Sequence, residues 1–118
     1  MNLHHTHSYD LTYLEEISAG DQQFVKSIIS QFILEAPAVL DRIKTALQAE
    51  NWADMEYEVH KFAPNLAFVG IDDLKDKMNT LEEMARLKIR DSETFRLLDS
   101  VTKRCELAIG DLKNDFNL

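Results

Sequence analysis

From Asp21 to about Glu50 the apolar residues return at steps of three and four without a break: Val25, Ile28, Ile29, Phe32, Ala36, Leu40, Ile43 and Leu47. That spacing draws one apolar stripe along a helix. A half-buried strand would alternate every second residue instead. Pro37 interrupts the backbone ladder, because it has no N–H to give to the carbonyl of Ile33. The apolar register nevertheless does not slip across it. The pattern predicts one long helix kinked near Pro37, with a break into two helices at residues 35–37 as the alternative.

The other segments repeat the pattern at shorter length. "DLTYLEEIS" (10–18) reads as a short helix with Asp10 as N-cap and Leu11, Leu14 and Ile17 on one face. Gly20 stops it, and Asp21 caps the long helix. Asn51 caps a third segment from Trp52 to about Phe68, ended by Gly70. Trp52 is expected to anchor its start in the core. Asp72 caps a fourth, whose stripe is Leu74, Met78, Leu81 and Ala85. "LKIRD" (87–91) connects it to a last helix, capped by Asp91 or Ser92 and running to about residue 115. That helix carries Phe95, Leu98, Val101, Cys105, Ala108 and Leu112, with Gly110 weakening its last turns. No segment shows a period of two. Short connections make neighbouring helices antiparallel. The expected fold is all-α: an antiparallel up-down four-helix bundle with a short leading N-terminal helix. Residues 1–8 form a tail and residues 9–118 the domain.

Composition narrows the function classes. With 118 residues the chain can build a single core without staples. A formal charge of −8 argues against binding nucleic acid or anionic membranes. No apolar run approaches a membrane span, and there is no glycine-rich phosphate loop and no Cys-x-x-Cys. One cysteine excludes an internal disulfide and fits a reducing, cytoplasmic compartment. Met1 and the short tail read as a free-standing protein, and a monomer is expected.

One histidine stands apart. In "YEVHKFAPNLAFVG" (57–70), Trp52, Met55, Val59, Phe62, Leu66 and Val69 form a single stripe. His60 lies roughly 130° from its centre at about 100° per residue, and so faces water. Its neighbours at helical spacing are Ala53, Glu56, Tyr57, Ala63, Pro64 and Ala67, most of them small. Small side chains leave the ring clear for a visiting surface. Pro64 costs about 3 kcal/mol in a helix interior and removes the donor for the His60 carbonyl. A metal site needs three or four ligands, and the bundle motif Glu-x-x-His would require Glu where Tyr57 stands. A metal role for His4, His5 and His7 of the tail is a lesser reading. Cys105 lies on a core stripe, which leaves no nucleophile–histidine pair for a triad. What remains is a lone exposed imidazole, able to act as a nucleophile toward a group that a partner presents.

The residues that carry this reading also resemble a family. "GDQQFVKSIISQFILEAPAVLDRIKTALQAENW", "VHKFAPNLAFVGIDDL" and "LEEMAR" resemble the histidine-containing phosphotransfer (HPt) domain of multistep two-component signalling, over roughly residues 10 to 112. His60, Phe62 and Gly70 fit the site pattern of that family. Ala63 stands where it usually has lysine and Pro64, followed by Asn65, where it usually has glycine, so His-Lys-Phe-Ala-Pro-Asn is a variant spelling. Lys61, the nearest cation in sequence and about one residue's rotation further round, would substitute in part for the missing lysine, and Asn65 would support the site with it. The resemblance implies a phosphorelay intermediate. Nε2 of His60 would accept a phosphoryl group from a receiver-domain aspartate and pass it to another. Partners would be response-regulator receiver domains or a hybrid sensor kinase, with Mg²⁺ supplied by the receiver and no cofactor of the chain's own. The chain would be a carrier without an ATP site, not an autonomous enzyme. The docking surface would comprise Ala53, Glu56, Tyr57, Ala63, Pro64 and Ala67, with residues of the preceding long helix. The alternative is a degenerate bundle that binds receivers and carries no phosphate.

Overall fold

The structure, a computed structural model, describes residues 8–118. Its helices are α1 (Thr12–Ile17), α2 (Gln22–Gln48), α3 (Trp52–Phe68), α4 (Lys75–Arg86) and α5 (Ser92–Phe116), with a 3-10 turn (Asp72–Leu74) before α4. No strand occurs among the described residues. The long stripe forms one helix that runs unbroken through Pro37. Phe32 and Ala36 before the proline and Leu40 and Ile43 after it are all buried. Each large apolar side chain buried there is worth about 1.5–3 kcal/mol. Together they outweigh the one ladder bond that proline removes, at about 3 kcal/mol.

Side chains start the helices where the sequence predicts. Asp21 accepts the N–H of Phe24 at 3.2 Å, and Asn51 that of Asp54 at 3.4 Å. Asp91 accepts the N–H of Thr94 at 3.1 Å while Thr94 Oγ1 accepts that of Asp91 at 3.4 Å, a reciprocal cap. At α1 the expectation shifts by one residue: the N-cap is Leu11, with no side-chain cap, and Asp10 before it accepts the N–H of Thr12 at 2.9 Å. Asp72 departs from expectation: it caps nothing and opens the 3-10 turn. Its neighbour Asp73 instead takes both arms of the Arg104 guanidinium on α5, at 2.9 and 3.0 Å. Ile17 is a second departure. It is exposed, although Leu11 and Leu14 are buried. Steps of three fall about 60° short of a full turn, so the third member has rotated off the face. Trp52 is half-buried and packs on the core.

Ion pairs and hydrogen bonds fix the directions of the helices. Between α3 and α4, His60 meets Glu82 and Glu56 meets Arg86. Between α4, with the 3-10 turn that leads into it, and α5, Lys77 meets Ser100 and Asp73 meets Arg104. In each pair, four residues back along one helix are four forward along the other, which is antiparallel packing. Arg42 of α2 holds Glu58 of α3 at 3.0 Å. α2 packs on α3 and α5, and α4 packs on the same two, so four helices close around one core. The body measures 43 × 21 × 20 Å, and α2, at about 40 Å, runs its length.

The leading segment is tied down against the C-terminal ends of α3 and α5. Ser8, expected in the tail, is buried, and its hydroxyl donates to Asp111 at 2.5 Å. The buried Tyr9 donates to Asp115 at 2.6 Å. Burial, and then Asp115 itself, push the Tyr9 phenol well above its ordinary range. The Asp10 N–H reaches the Val69 carbonyl at 3.2 Å, against the end of α3. Gly70 makes that contact possible. Its φ is +69°, and an added Cβ would sit 1.9 Å from the Asp10 carbonyl oxygen. Gly110, inside α5, has nothing within 4 Å of a Cβ. Gly70→Ala is expected to lose roughly 2–4 kcal/mol of stability, and Gly110→Ala to gain up to about 1 kcal/mol. Urea unfolding followed by circular dichroism reads both, and equal midpoints for Gly70→Ala and the parent chain would contradict the packing of the leading segment.

Candidate functional site

Four buried residues set the rotation of α3: Met55, Val59, Phe62 and Leu66. Phe62 stacks on Phe32 of α2 with ring centroids 6.2 Å apart and planes 2° from parallel. With that face committed, position 60 is turned outward, and the His60 side chain is 78% exposed. α3 stays helical through Pro64 to Phe68, so the turn that follows the histidine keeps its register.

The partner of His60 comes from α4. Both carboxylate oxygens of Glu82 lie beside its Nδ1, at 3.3 and 3.4 Å. A carboxylate only accepts, so the arrangement favours the proton on Nδ1 and leaves the Nε2 lone pair unoccupied in the neutral ring. Glu82 itself is only a quarter exposed and cannot wander far. Nothing in the sequence distinguishes Glu82 from the adjacent Glu83. The α3–α4 register selects it, and an antiparallel register is invisible in the spacing within either helix.

An open groove of about 450 Å³ runs from His60 along the α3–α4 seam. Ala63, Pro64 and Ala67 form one wall and Lys75, Asn79 and Glu82 the other, over Leu66, Ile71 and Met78. The small residues singled out in the sequence therefore leave room beside the imidazole. Ala53, Tyr57, Pro64 and Ala67 are exposed, while Glu56 and Ala63 are half-buried.

Two of the expected residues are not brought to the histidine. Lys61 and Asn65 line a separate groove against α2, with Leu34 and Arg42. Lys61 Nζ lies 5.5 Å from the centroid of the Tyr57 ring. One residue's rotation, about 100°, is enough to carry Lys61 to the other flank. The helix that flanks His60 is α4.

Among the described residues no three His, Cys, Asp or Glu side chains gather as metal ligands. His4, His5 and His7 lie outside the described residues. Cys105 is fully buried. No helix among the described residues is long and apolar enough to cross a membrane.

The family model described as "Hpt domain" matches residues 27–114, well over half of the chain. No curated protein and no solved structure matches.

The thiol offers a check on the core behind the site. Burial pushes Cys105 up to about 12 from 9.0. Because the folded value is raised, the thiol's contribution to stability is intact below the unfolded value and is lost as pH climbs from about 9 toward 12. At pH 8 the folded protein should react with a thiol reagent about a thousandfold more slowly than the urea-unfolded chain. Comparable rates would show that the core is open at α5.

Proposed function

The chain belongs to the Hpt domain family, and from that premise we propose that it is a phosphorelay carrier whose phosphorylated residue is His60. Hpt domains serve phosphotransfer in two-component signalling, where they meet receiver domains and kinases. The observation that carries the assignment to His60 is its exposure together with the Glu82 carboxylate on Nδ1. The proton is held on one ring nitrogen while the other faces a visiting protein.

This geometry supports a direct transfer. A receiver docks on the flank formed by Ala53, Tyr57, Pro64 and Ala67, with the α4 wall beside it, and presents its aspartyl phosphate to Nε2. The Nε2 lone pair forms the N–P bond as the acyl P–O bond breaks. The electron pair of that bond leaves on the receiver's aspartate carboxylate. The Nδ1 proton stays against Glu82, whose negative charge offsets the positive charge the ring takes on. The same steps in reverse deliver the group to a second receiver. The receiver supplies Mg²⁺ for the phosphoryl oxygens in both directions. The carrier has no ATP site of its own and works in the cytoplasm. Small side chains around the ring matter because the acyl phosphate must come within bonding distance without displacing helix side chains.

A phosphorylated receiver should place acid-labile, base-stable label on the chain, and His60→Gln should remove it. Glu82→Ala should retain labelling but slow it by about tenfold, through loss of the ring's orientation and of the compensating charge. Label that persists on His60→Gln would overturn the assignment. Receiver binding that survives His60→Gln with no label on the parent chain would identify a degenerate receiver-binding bundle instead.

A further inference from the structure

The seam between α2 and α5 lies across the bundle from His60. α2 and α4 each pack on both α3 and α5, so the α2–α5 seam is diagonally opposite the α3–α4 seam. An open groove of about 460 Å³ runs along it. Its floor is Leu40 and Ile109, and Pro37 of α2 and Gly110 of α5 stand on its two sides. Gly110 is exposed in the interior of a 25-residue helix, with nothing within 4 Å of a Cβ built on it. Glycine is costly in a helix interior, second only to proline. Neither a turn nor a close contact within the described residues calls for it here. What it provides is bare backbone, which another helix can approach closely.

The rim of the groove carries Asp41 and Lys44 on α2 and Glu106 and Lys113 on α5. These charges cancel, in a chain whose excess of −8 otherwise opposes contact with a second copy of itself. Among the described residues none of the four enters an ion pair, although Arg42, Arg86, Arg96, Lys103 and Arg104 all do. Along α5, Glu106 comes four residues before Gly110 and Lys113 three after it. A two-fold axis at Gly110 can set α5 of one copy antiparallel to α5 of another. Glu106 of each copy then lies level with Lys113 of the other to within one residue's rise, about 1.5 Å. Both pairs form at once, and neither exists in the single chain. A parallel crossing would instead set Glu106 against Glu106 and Lys113 against Lys113. Leu107, 56% exposed and one turn before Gly110, is covered by the antiparallel crossing.

We propose that this face is a homodimer interface: a second copy of this chain docks on it, with α5 crossing α5 antiparallel at Gly110 and a Glu106–Lys113 pair on each side of the axis. The proposal is independent of the role given to His60. Bare backbone at Gly110, the Leu107 side chain and the groove floor form the apolar centre of the contact, and the charged pairs form its rim. Rim pairs set register and orientation more than affinity. A peptide of either charge would meet a like charge at Glu106 or at Lys113, whereas a second copy in antiparallel register meets opposite charges at both. The α3–α4 seam of each copy points away from the axis. A dimer built this way therefore carries two exposed His60 side chains, each open to its own visitor.

The test uses the full chain alone. Sedimentation equilibrium from about 1 to about 500 μM should show a monomer–dimer equilibrium that weakens as salt is added. Glu106→Lys and Lys113→Glu should each weaken dimerisation about tenfold or more, because either change sets two like-charged pairs across the axis. The two changes together restore the pairs in reversed order, and should return the dissociation constant to within about threefold of the parent's. Under mild oxidation Gly110→Cys should link two copies by a disulfide, since the axis brings its Cα atoms within about 7 Å of each other. Asp76→Cys, exposed on α4, should link at least about tenfold more slowly. Cys105 is buried and does not compete. A chain that stays monomeric through the whole range would overturn the proposal. So would a dimer that the single reversals leave unchanged, that the double reversal fails to restore, or that Gly110→Cys links no faster than Asp76→Cys, because each would put the contact on another face.

Discussion

Burial of Met55, Val59, Phe62 and Leu66 fixes the rotation of α3 about its axis, and every property of the site depends on that rotation. A helix has a single free angle once its axis is placed, and its apolar face sets it. Four large side chains, each worth about 1.5–3 kcal/mol when buried, leave no competing orientation. His60 faces outward because its neighbours face inward. No interaction of the imidazole itself is needed to put it there, and the pair it makes with Glu82 is free to serve chemistry.

The position of α3 along its axis is held from its far end. Gly70 bends the chain at φ +69° against the Asp10 carbonyl, and the Asp10 N–H bonds Val69. Ser8 and Tyr9 carry the same segment onto Asp111 and Asp115 of α5. Asp73, just beyond Gly70, is clamped by Arg104. The seam between α3 and α4 thus starts from a fixed turn. A fixed turn fixes the register that sets Glu82 opposite His60 and Arg86 opposite Glu56. A slip of one helical turn on α4 would put Arg86 or Met78 against the ring.

The electrostatics of the seam fit the proposed carrier reading. The imidazole has one carboxylate partner, an open groove of small residues beside it, and cations set back from it. A catalytic site would enclose its substrate and gather several reacting groups. In the proposed transfer the docking receiver brings the enclosure and the metal, and the chain brings the imidazole, its carboxylate partner and room to approach.

Much of this was legible in the residues. The steps of three and four gave the helices, Asp21, Asn51 and Asp91 gave their starts, and the phase of position 60 gave its exposure, because all three are properties of one helix at a time. Continuity of the apolar face also foretold that α2 would run through Pro37. Pairing across helices was not legible: that Glu82 and not Glu83 meets His60, that Lys61 turns to α2, that α4 rather than α2 flanks the ring, and that Ser8 is buried. Spacing within a helix determines which way a side chain faces. Which residue it faces depends on the relative shift of two helices along their axes, and only the packed turns between them decide that.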